Sequence, residues 1–409
     1  MSTVAFLGIA MHGHINPTLP IVAELVRRGH RVTYHTSPAF SEEIAATGAD
    51  VRLTPGGDMP LPDPPVPLVL MRGLAAGSLG ILPPLLDELR RIRPDLVVHD
   101  SACLWGAVAA RELAVPAVSS FTTFAFNRYV PSPSRPSRDL LGAAVRRPRS
   151  AAGYLRSRVR LRRRFDTRGV PLLDLADIRQ PLNLVYTSRE FQPGAETFDR
   201  SFRFVGPSIG ARPHDPSFPV DRLRGPVLYA SLGTVFDTRP WLLRTLATAL
   251  APLGGTVVVS TGHTDPAELG SLPANVLALR SVPQPHLLSR TALFVTHGGM
   301  NSVNEALYAG VPMLVIPQGA DQPLVARRVA ELGAGLTVRT EDATVERVRG
   351  LARRVLQDPG FRTAAEGLRD AQRAAGGFAR AADELERHLR RAGAPGVPVS
   401  PGRGRGRGR

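Results

Sequence analysis

The 409-residue chain contains no lysine: all 51 of its basic residues are arginine. That absence removes P-loop phosphate binding through lysine, Schiff-base chemistry and a lysine general base together. Cysteine is nearly absent as well. The single Cys103 excludes an internal disulfide and a thiolate metal cluster, and it fits a reducing compartment. The amino-terminal MSTVAFLGIAMHG has no basic n-region and meets Gly8 and His12 before an apolar region can form, so no secretory leader is expected. No run is expected to approach the roughly 18 to 20 apolar residues of a membrane span, and the chain reads as soluble and cytoplasmic.

Acidic residues are outnumbered, leaving a formal net charge of +16. Such a charge attracts nucleic acid, anionic lipid or an acidic ligand. The accompanying excess of Arg, Ala, Gly and Pro has a plainer compositional reading. The arginines concentrate in two places only: Arg146 to Phe165, and the GRGRGRGR tail from Gly402, expected to be disordered. No base-reading motif or RNA-binding aromatic signature is visible, so a nucleic-acid partner is not expected.

With 43% hydrophobic residues, the length suits two domains, each with its own core. In the first half short apolar runs (TVAFLGIA, HRVTYHTS, DVRLTP, DLVVHDS, RELAVPAVSS, NLVYTS) alternate with amphipathic stretches such as PTLPIVAELVRRGH. Strands separated by helix-length segments predict a parallel sheet with right-handed crossovers. Gly- and Pro-rich residues 206–224 read as a linker, after which the pattern repeats through PVLYASLG, TVVVSTG, NVLALRSV, ALFVTHGG and VPMLVIPQ. The expected organisation is an α/β chain of two Rossmann-like domains facing across a cleft: residues 1–205, the linker 206–224, residues 225–375, a carboxyl-terminal helix 376–393 and a tail 394–409.

Open parallel sheets bind ligands outside the carboxyl ends of their strands, and the distinctive motifs fall in such loops. In the second half, ALFVT is followed by His297-Gly298-Gly299, and Asn301 or Ser302 can cap the helix that follows. A helix amino terminus preceded by glycines presents free N–H groups and a positive dipole, the means left for holding a diphosphate without lysine. His297 can donate to the same group, Glu305 can accept from ribose hydroxyls, and Asp321 with Gln322 suits the hydroxyls of a sugar.

This segment resembles the donor-binding signature of inverting, nucleotide-sugar-dependent glycosyltransferases of the GT-B fold, especially the bacterial macrolide glycosyltransferases. The order His, Gly, Asn-Ser, Glu, then Gly-Val-Pro, then Asp-Gln is matched from His297 to Gln322. The resemblance implies that His297, Gly299, Asn301 and Ser302 contact the diphosphate of a nucleotide-sugar co-substrate, with Thr234 of SLGT touching phosphate from the facing loop. It places Val282 and Gln284 at the nucleotide, Gln284 with Glu305 at the ribose, and Asp321 with Gln322 on the transferred sugar. One departure stands out: Ser281 occupies the position where the family usually has an aromatic residue stacked on the base. UDP and dTDP therefore both stay open.

In the first half, GIAMHGHINPT supplies two histidines behind a strand. The resemblance implies that His14 is the general base taking the proton of an acceptor hydroxyl, and that Asp100, ending DLVVHD, orients it. An imidazole with a pKa near 6.5 suits that task. His12 stays unassigned. No Asp-X-Asp pair occurs and no further ligands accompany His-Gly-His, so no metal is expected. Leu61 to Leu79 and Phe121 to Tyr129 offer walls for an apolar acceptor, with ordinary core packing the plain alternative. Arg146 to Arg168 reads as a mobile, solvated helix on the acceptor side or, second, as an amphipathic membrane-surface helix.

The expected activity is metal-independent inverting transfer of a hexose, glucose in the first instance, from a UDP- or dTDP-sugar to a hydroxyl of a small apolar natural product such as a macrolide or phenolic. A deoxysugar transferase of antibiotic assembly and a nucleotide-sugar epimerase are the rival readings. The expected partners are the donor and acceptor, without membrane contact, in a monomer or homodimer.

Overall fold

The computed structural model describes residues 1–54, 67–132, 142, 144–174, 176–210, 218–233 and 239–393. Thr234, residues 61–66 of the expected acceptor wall, residues 211–217 of the expected linker and the 394–409 tail lie outside the described residues.

Seven strands form the first sheet: Thr3–Leu7 (β1), Arg31–Thr36 (β2), Asp50–Leu53 (β3), Leu96–Asp100 (β4), Ala117–Phe121 (β5), Leu182–Val185 (β6) and Phe202–Phe204 (β7). Their order is β3-β2-β1-β4-β5-β6-β7 and every pairing is parallel. The central strands β4 and β5 are buried at every position, as a parallel sheet covered on both faces requires. Six more strands build the second sheet: Val227–Ser231 (β8), Thr256–Ser260 (β9), Val276–Leu279 (β10), Thr291–Thr296 (β11), Met313–Val315 (β12) and Gly335–Thr337 (β13). That sheet runs β10-β9-β8-β11-β12-β13, again wholly parallel. Both sheets are doubly wound, so each has a point where the strand order reverses: between β1 and β4 in one, between β8 and β11 in the other.

One face of the first sheet packs on the helix Pro67–Ile92, whose Leu74, Ala75, Ile81, Leu82, Leu85, Leu86 and Leu89 are buried with Ala5, Leu7 and Val97. This helix corrects two expectations. By length and apolar composition Leu68–Ile92 passes for a membrane span, although no single run in the sequence stands out, because Gly, Ser, Arg and a Pro83-Pro84 pair interrupt it. Its apolar side chains are spent on the core. From Leu68 the supposed acceptor wall is this same helix, with Leu68, Met71 and Leu74 buried.

The basic segment is also better packed than expected. Residues Pro148–Arg164 form a helix that lies on Pro67–Ile92 and buries Tyr154, Arg158 and Leu161, while Leu155 and Val159 face solvent among arginines.

The opposite face of the first sheet carries the last helix of the chain. Ala381, Ala382 and Leu385 of Gly377–Ala392 are buried with Val4, Phe6, Val22, Leu25 and Val98. Arg28 donates to Asp383 at 2.7 Å and Glu386 at 3.2 Å across that contact, and also to Glu24. The carboxyl-terminal helix therefore completes the core of the amino-terminal half.

Between the halves runs a third, shared core. Phe121, Phe124, Phe126 and Phe191 from the first half are buried with Tyr229, Phe294 and Val303 from the second. Full burial of each such aromatic contributes about 1.5–3 kcal/mol of hydrophobic driving force. The side chains of Phe121, Phe124 and Phe126 thus pack in this seam. A polar knot sits beside them: Asn304 Oδ1 accepts from Thr187 Oγ1 (3.0 Å) and Gln372 Nε2 (3.0 Å), and Asn304 Nδ2 donates to the Tyr186 carbonyl (2.9 Å). Gln372 Oε1 in turn accepts from the Ser188 N–H at 2.8 Å.

Candidate active site

The two strand-order reversals face each other, and the residues singled out by sequence gather there. Behind β1 the chain makes a single helical turn, His12–Ile15, anchored by the buried Ile15. That turn carries His14 to the end of β4, where its Nδ1–H donates to Asp100 Oδ2 at 2.7 Å. Asp100 is itself fixed, since its Oδ1 accepts from the Ala102 N–H at 2.7 Å and its side chain is 4% exposed. With Nδ1 committed to the carboxylate, the proton acceptor of His14 is Nε2. Burial lowers the His14 pKa, but the charge and hydrogen bond of Asp100, helped by the charge of Asp321, more than offset it and the net shift is upward.

His12 takes another path. Its exposed ring meets Phe40 edge-on at 4.8 Å and joins no ligand-like cluster. Among the described residues no three His, Cys, Asp or Glu side chains converge as a metal site.

On the facing side, Gly298 turns the chain after β11 at φ +84°, and the helix Met300–Ala309 begins with Gly299 as its cap residue. Asn301 and Ser302 lie inside the first turn, so neither caps it, contrary to the sequence expectation. Without a side-chain cap, the first-turn N–H groups keep their capacity for an anion. The His297 ring is wedged between glycines: a Cβ added to Gly299 would lie 2.4 Å from its Nε2, and one added to Gly233 would lie 2.8 Å away. Burial holds the His297 pKa at about 4, against a weaker raising hydrogen bond with the Ser231 backbone, so the ring is neutral near pH 7.

Below this turn, Gln284 Nε2 donates to Glu305 Oε2 at 2.8 Å and reaches Ser302 Oγ at 3.3 Å, while its Oε1 accepts from the Tyr229 hydroxyl at 3.0 Å. Val282 is half-buried against the shared core, and Ser281 is exposed. Gln322 is buried, and its Oε1 accepts from the N–H groups of Gln318 (2.8 Å) and Gly319 (3.2 Å), which shapes the loop carrying Asp321.

Among the described residues, two hydrogen bonds cross the cleft between the loops carrying His14 and Thr123 and the facing site. Thr123 Oγ1 donates to Asp321 Oδ2 at 2.6 Å, and Asn301 Nδ2 donates to the Gly13 carbonyl at 3.0 Å. Thr122 Oγ1 lies 3.3 Å from His14 Nδ1. Sequence reading passed over both threonines and Tyr229. The threonines follow β5 directly, where ligands gather at strand ends, and lie within the Phe121 to Tyr129 stretch read as an apolar acceptor wall, a reading that gave their hydroxyls no role.

The geometry is that of two nucleotide-type folds pressed together at their ligand-binding edges, one presenting an acid-oriented imidazole and the other an anion-receptive helix end. A family model described as "Erythromycin biosynthesis protein CIII-like, C-terminal domain" matches residues 244–386. The NDP-glycosyltransferase YjiC of Bacillus subtilis (strain 168) is 33% identical over 401 residues, spanning 96% of this chain and 98% of the relative. The oleandomycin glycosyltransferase of Streptomyces antibioticus is 33% identical over 398 residues, 94% of this chain and 90% of its own. The crystal structure of the glycotransferase of kitacinnamycin superposes with a TM-score of 0.82 at 32% identity, covering 95% of this chain and 99% of that one. The chain belongs to the GT-B glycosyltransferases, in the family that includes these macrolide and antibiotic enzymes.

Proposed function

We propose that this glycosyltransferase moves a hexose, glucose in the first instance, from a UDP- or dTDP-sugar to a hydroxyl of a small, apolar natural product, with inversion and without a metal. The observation that carries the reading is the His14–Asp100 pair at 2.7 Å: burial lowers the His14 pKa, but the charge and hydrogen bond of Asp100, with a smaller share from the charge of Asp321, raise it overall. His14 Nε2 takes the proton of the acceptor hydroxyl as its oxygen attacks the anomeric carbon, and the bond to the diphosphate breaks on the opposite side. Asp100 stabilises the imidazolium that forms. The departing nucleoside diphosphate is met by the amino terminus of Met300–Ala309, with His297, Gly299, Asn301 and Ser302 around it. Glu305 and Gln284 take the ribose, and Asp321 with Gln322 the sugar hydroxyls. Asp321 and Asn301 are engaged across the cleft by Thr123 and Gly13, so donor entry exchanges those two hydrogen bonds for its own.

The names of the relatives, an oleandomycin glycosyltransferase among them, support a natural-product acceptor. A mass-spectrometric transfer assay crossing UDP- and dTDP-sugars with macrolides and phenolics tests the reading. Transfer with inversion is expected from wild type, and His14→Ala should lose transfer while still binding nucleotide; unchanged turnover in His14→Ala would overturn it.

A further inference from the structure

We infer that Tyr229 is a positioning residue for donor recognition: its hydroxyl fixes the Gln284 amide in the orientation that grips the Glu305 carboxylate. The inference rests on the proposed reading of Glu305 as the ribose-binding group. Tyr229 lies on β8, is 1% exposed, and stacks on Phe294 of the neighbouring β11 with ring centroids 4.7 Å apart and planes 7° from parallel. Two paired strands thus set where its hydroxyl points. That hydroxyl donates to Gln284 Oε1 at 3.0 Å, and the other end of the same amide donates to Glu305 Oε2 at 2.8 Å.

An amide has one accepting and one donating end, and a carboxylate accepts only from the donating end. Once Nε2 faces Glu305, Oε1 must face the β8 side, where it needs a donor. The phenol is that donor. With phenylalanine the stack on Phe294 survives, but the accepting end of Gln284 loses this partner and its amide is free to swing. The hydrogen bond from Gln284 to Glu305 then loses its fixed aim. Gln284 and Glu305 stand 21 residues apart on two different helices, so their alignment depends on such a third point of attachment.

Tyr229→Phe removes the neutral hydrogen bond to Gln284, which corresponds to about two- to tenfold in an equilibrium constant. The loss is expected in donor KM and in the Kd of UDP, with kcat little changed. It should also shrink the preference for UDP over 2′,3′-dideoxyuridine diphosphate by a similar factor, because the two differ only in the ribose hydroxyls offered to Glu305. A purely structural role would weaken both nucleotides equally and leave their ratio alone. Calorimetric titration of wild type, Tyr229→Phe, Gln284→Leu and the double variant reads all of this. Gln284→Leu should reproduce the narrowed ratio, and Tyr229→Phe added to it should have no further effect. An unchanged ratio in Tyr229→Phe, or additive effects in the double variant, would overturn the role of Tyr229 alone. Equal binding of the two nucleotides by wild type would instead overturn the ribose reading of Glu305 on which it rests. Should Tyr229→Phe fail to fold, Gln284→Leu with an unaltered ratio overturns the inference.

Discussion

Replacing Asp100 with asparagine keeps the shape of the site and removes its charge, and the local hydrogen bonding dictates how the site fails. Asp100 Oδ1 accepts from the Ala102 N–H, and Oδ2 accepts from His14 Nδ1–H, both at 2.7 Å. An asparagine has only one oxygen to offer. If that oxygen stays with Ala102, the new amide NH2 faces His14 and forces the ring into the tautomer with Nδ1 as acceptor and Nε2 protonated. No base then faces the acceptor. If the amide turns over, a backbone N–H loses its partner at a cost of about 1–3 kcal/mol, and the charge that stabilises the imidazolium is still gone. The hydrogen bond to a charged group contributes about 1.5–3 kcal/mol, and a tautomer error at a comparable catalytic dyad costs about 10⁴-fold, so kcat should fall by about 10²–10⁴-fold. The pH profile supplies a second reading. His14 must be unprotonated to act, so kcat/KM falls as pH drops through its pKa; because that pKa is raised above 6.5, the acid limb in wild type should lie above pH 6.5. In Asp100→Asn the burial that lowers the pKa loses its main counterweight, and the limb should move to lower pH. Steady-state transfer rates from pH 5 to 9, with nucleotide titrations to show intact donor binding, measure both effects. Wild-type kcat with an unmoved acid limb would refute the reasoning.

Three further outcomes are expected. Gly233→Ala places a methyl group 2.8 Å from the His297 ring at φ +81°, so nucleotide affinity should fall by about tenfold or more with loss of stability, measured by titration and thermal melting. Arg28→Ala unties Asp383 and Glu386 of the last helix from the amino-terminal half and frees Glu24, and should lower unfolding free energy by about 1–3 kcal/mol in urea. The Glu24 carboxyl is held down to about 2, chiefly by its hydrogen bond to Arg27 against the opposing effect of burial; its stabilising share is present above pH 4.5 and lost as pH falls towards about 2, so Glu24→Gln should flatten acid unfolding in that window.

The alternation of apolar and amphipathic segments made the two parallel sheets legible, because a parallel sheet needs uninterrupted apolar strands and helical crossovers. The three-residue strands Phe202–Phe204 and Gly335–Thr337 escaped, since three residues carry no period and their pairing is decided by the neighbours already in place. The helix Pro67–Ile92 escaped for a different reason: Pro83 and Pro84 argue locally against a helix, and burial against the sheet outweighs them. At the site, His297 and Asp321 fall in loops at strand ends, where open parallel sheets bind ligands, while His14 and Asp100 were legible through the resemblance to the glycosyltransferase motifs. Thr122, Thr123 and Tyr229 carry no such mark. Their hydroxyls matter only through partners 55 to 198 residues away in sequence, which no local pattern encodes.

The seam between the halves bears on how this chain can be cut and recombined. Gly206, at φ +78°, lets the outgoing strand pass against the Gln372 carbonyl, Gly377 donates from the returning segment to the Val205 carbonyl at 2.6 Å, and the last helix then docks on the first sheet. The module built on the second sheet therefore has two necks rather than one, and both pass close together at Gly206 and Gly377. A chimaera joined only in the 206–224 stretch would inherit a carboxyl-terminal helix fitted to the wrong partner sheet. A workable exchange takes residues near 207–375 as an insert and leaves Gly377–Ala392 with its own amino-terminal half, so that the second sheet can be replaced while the first keeps its final brace.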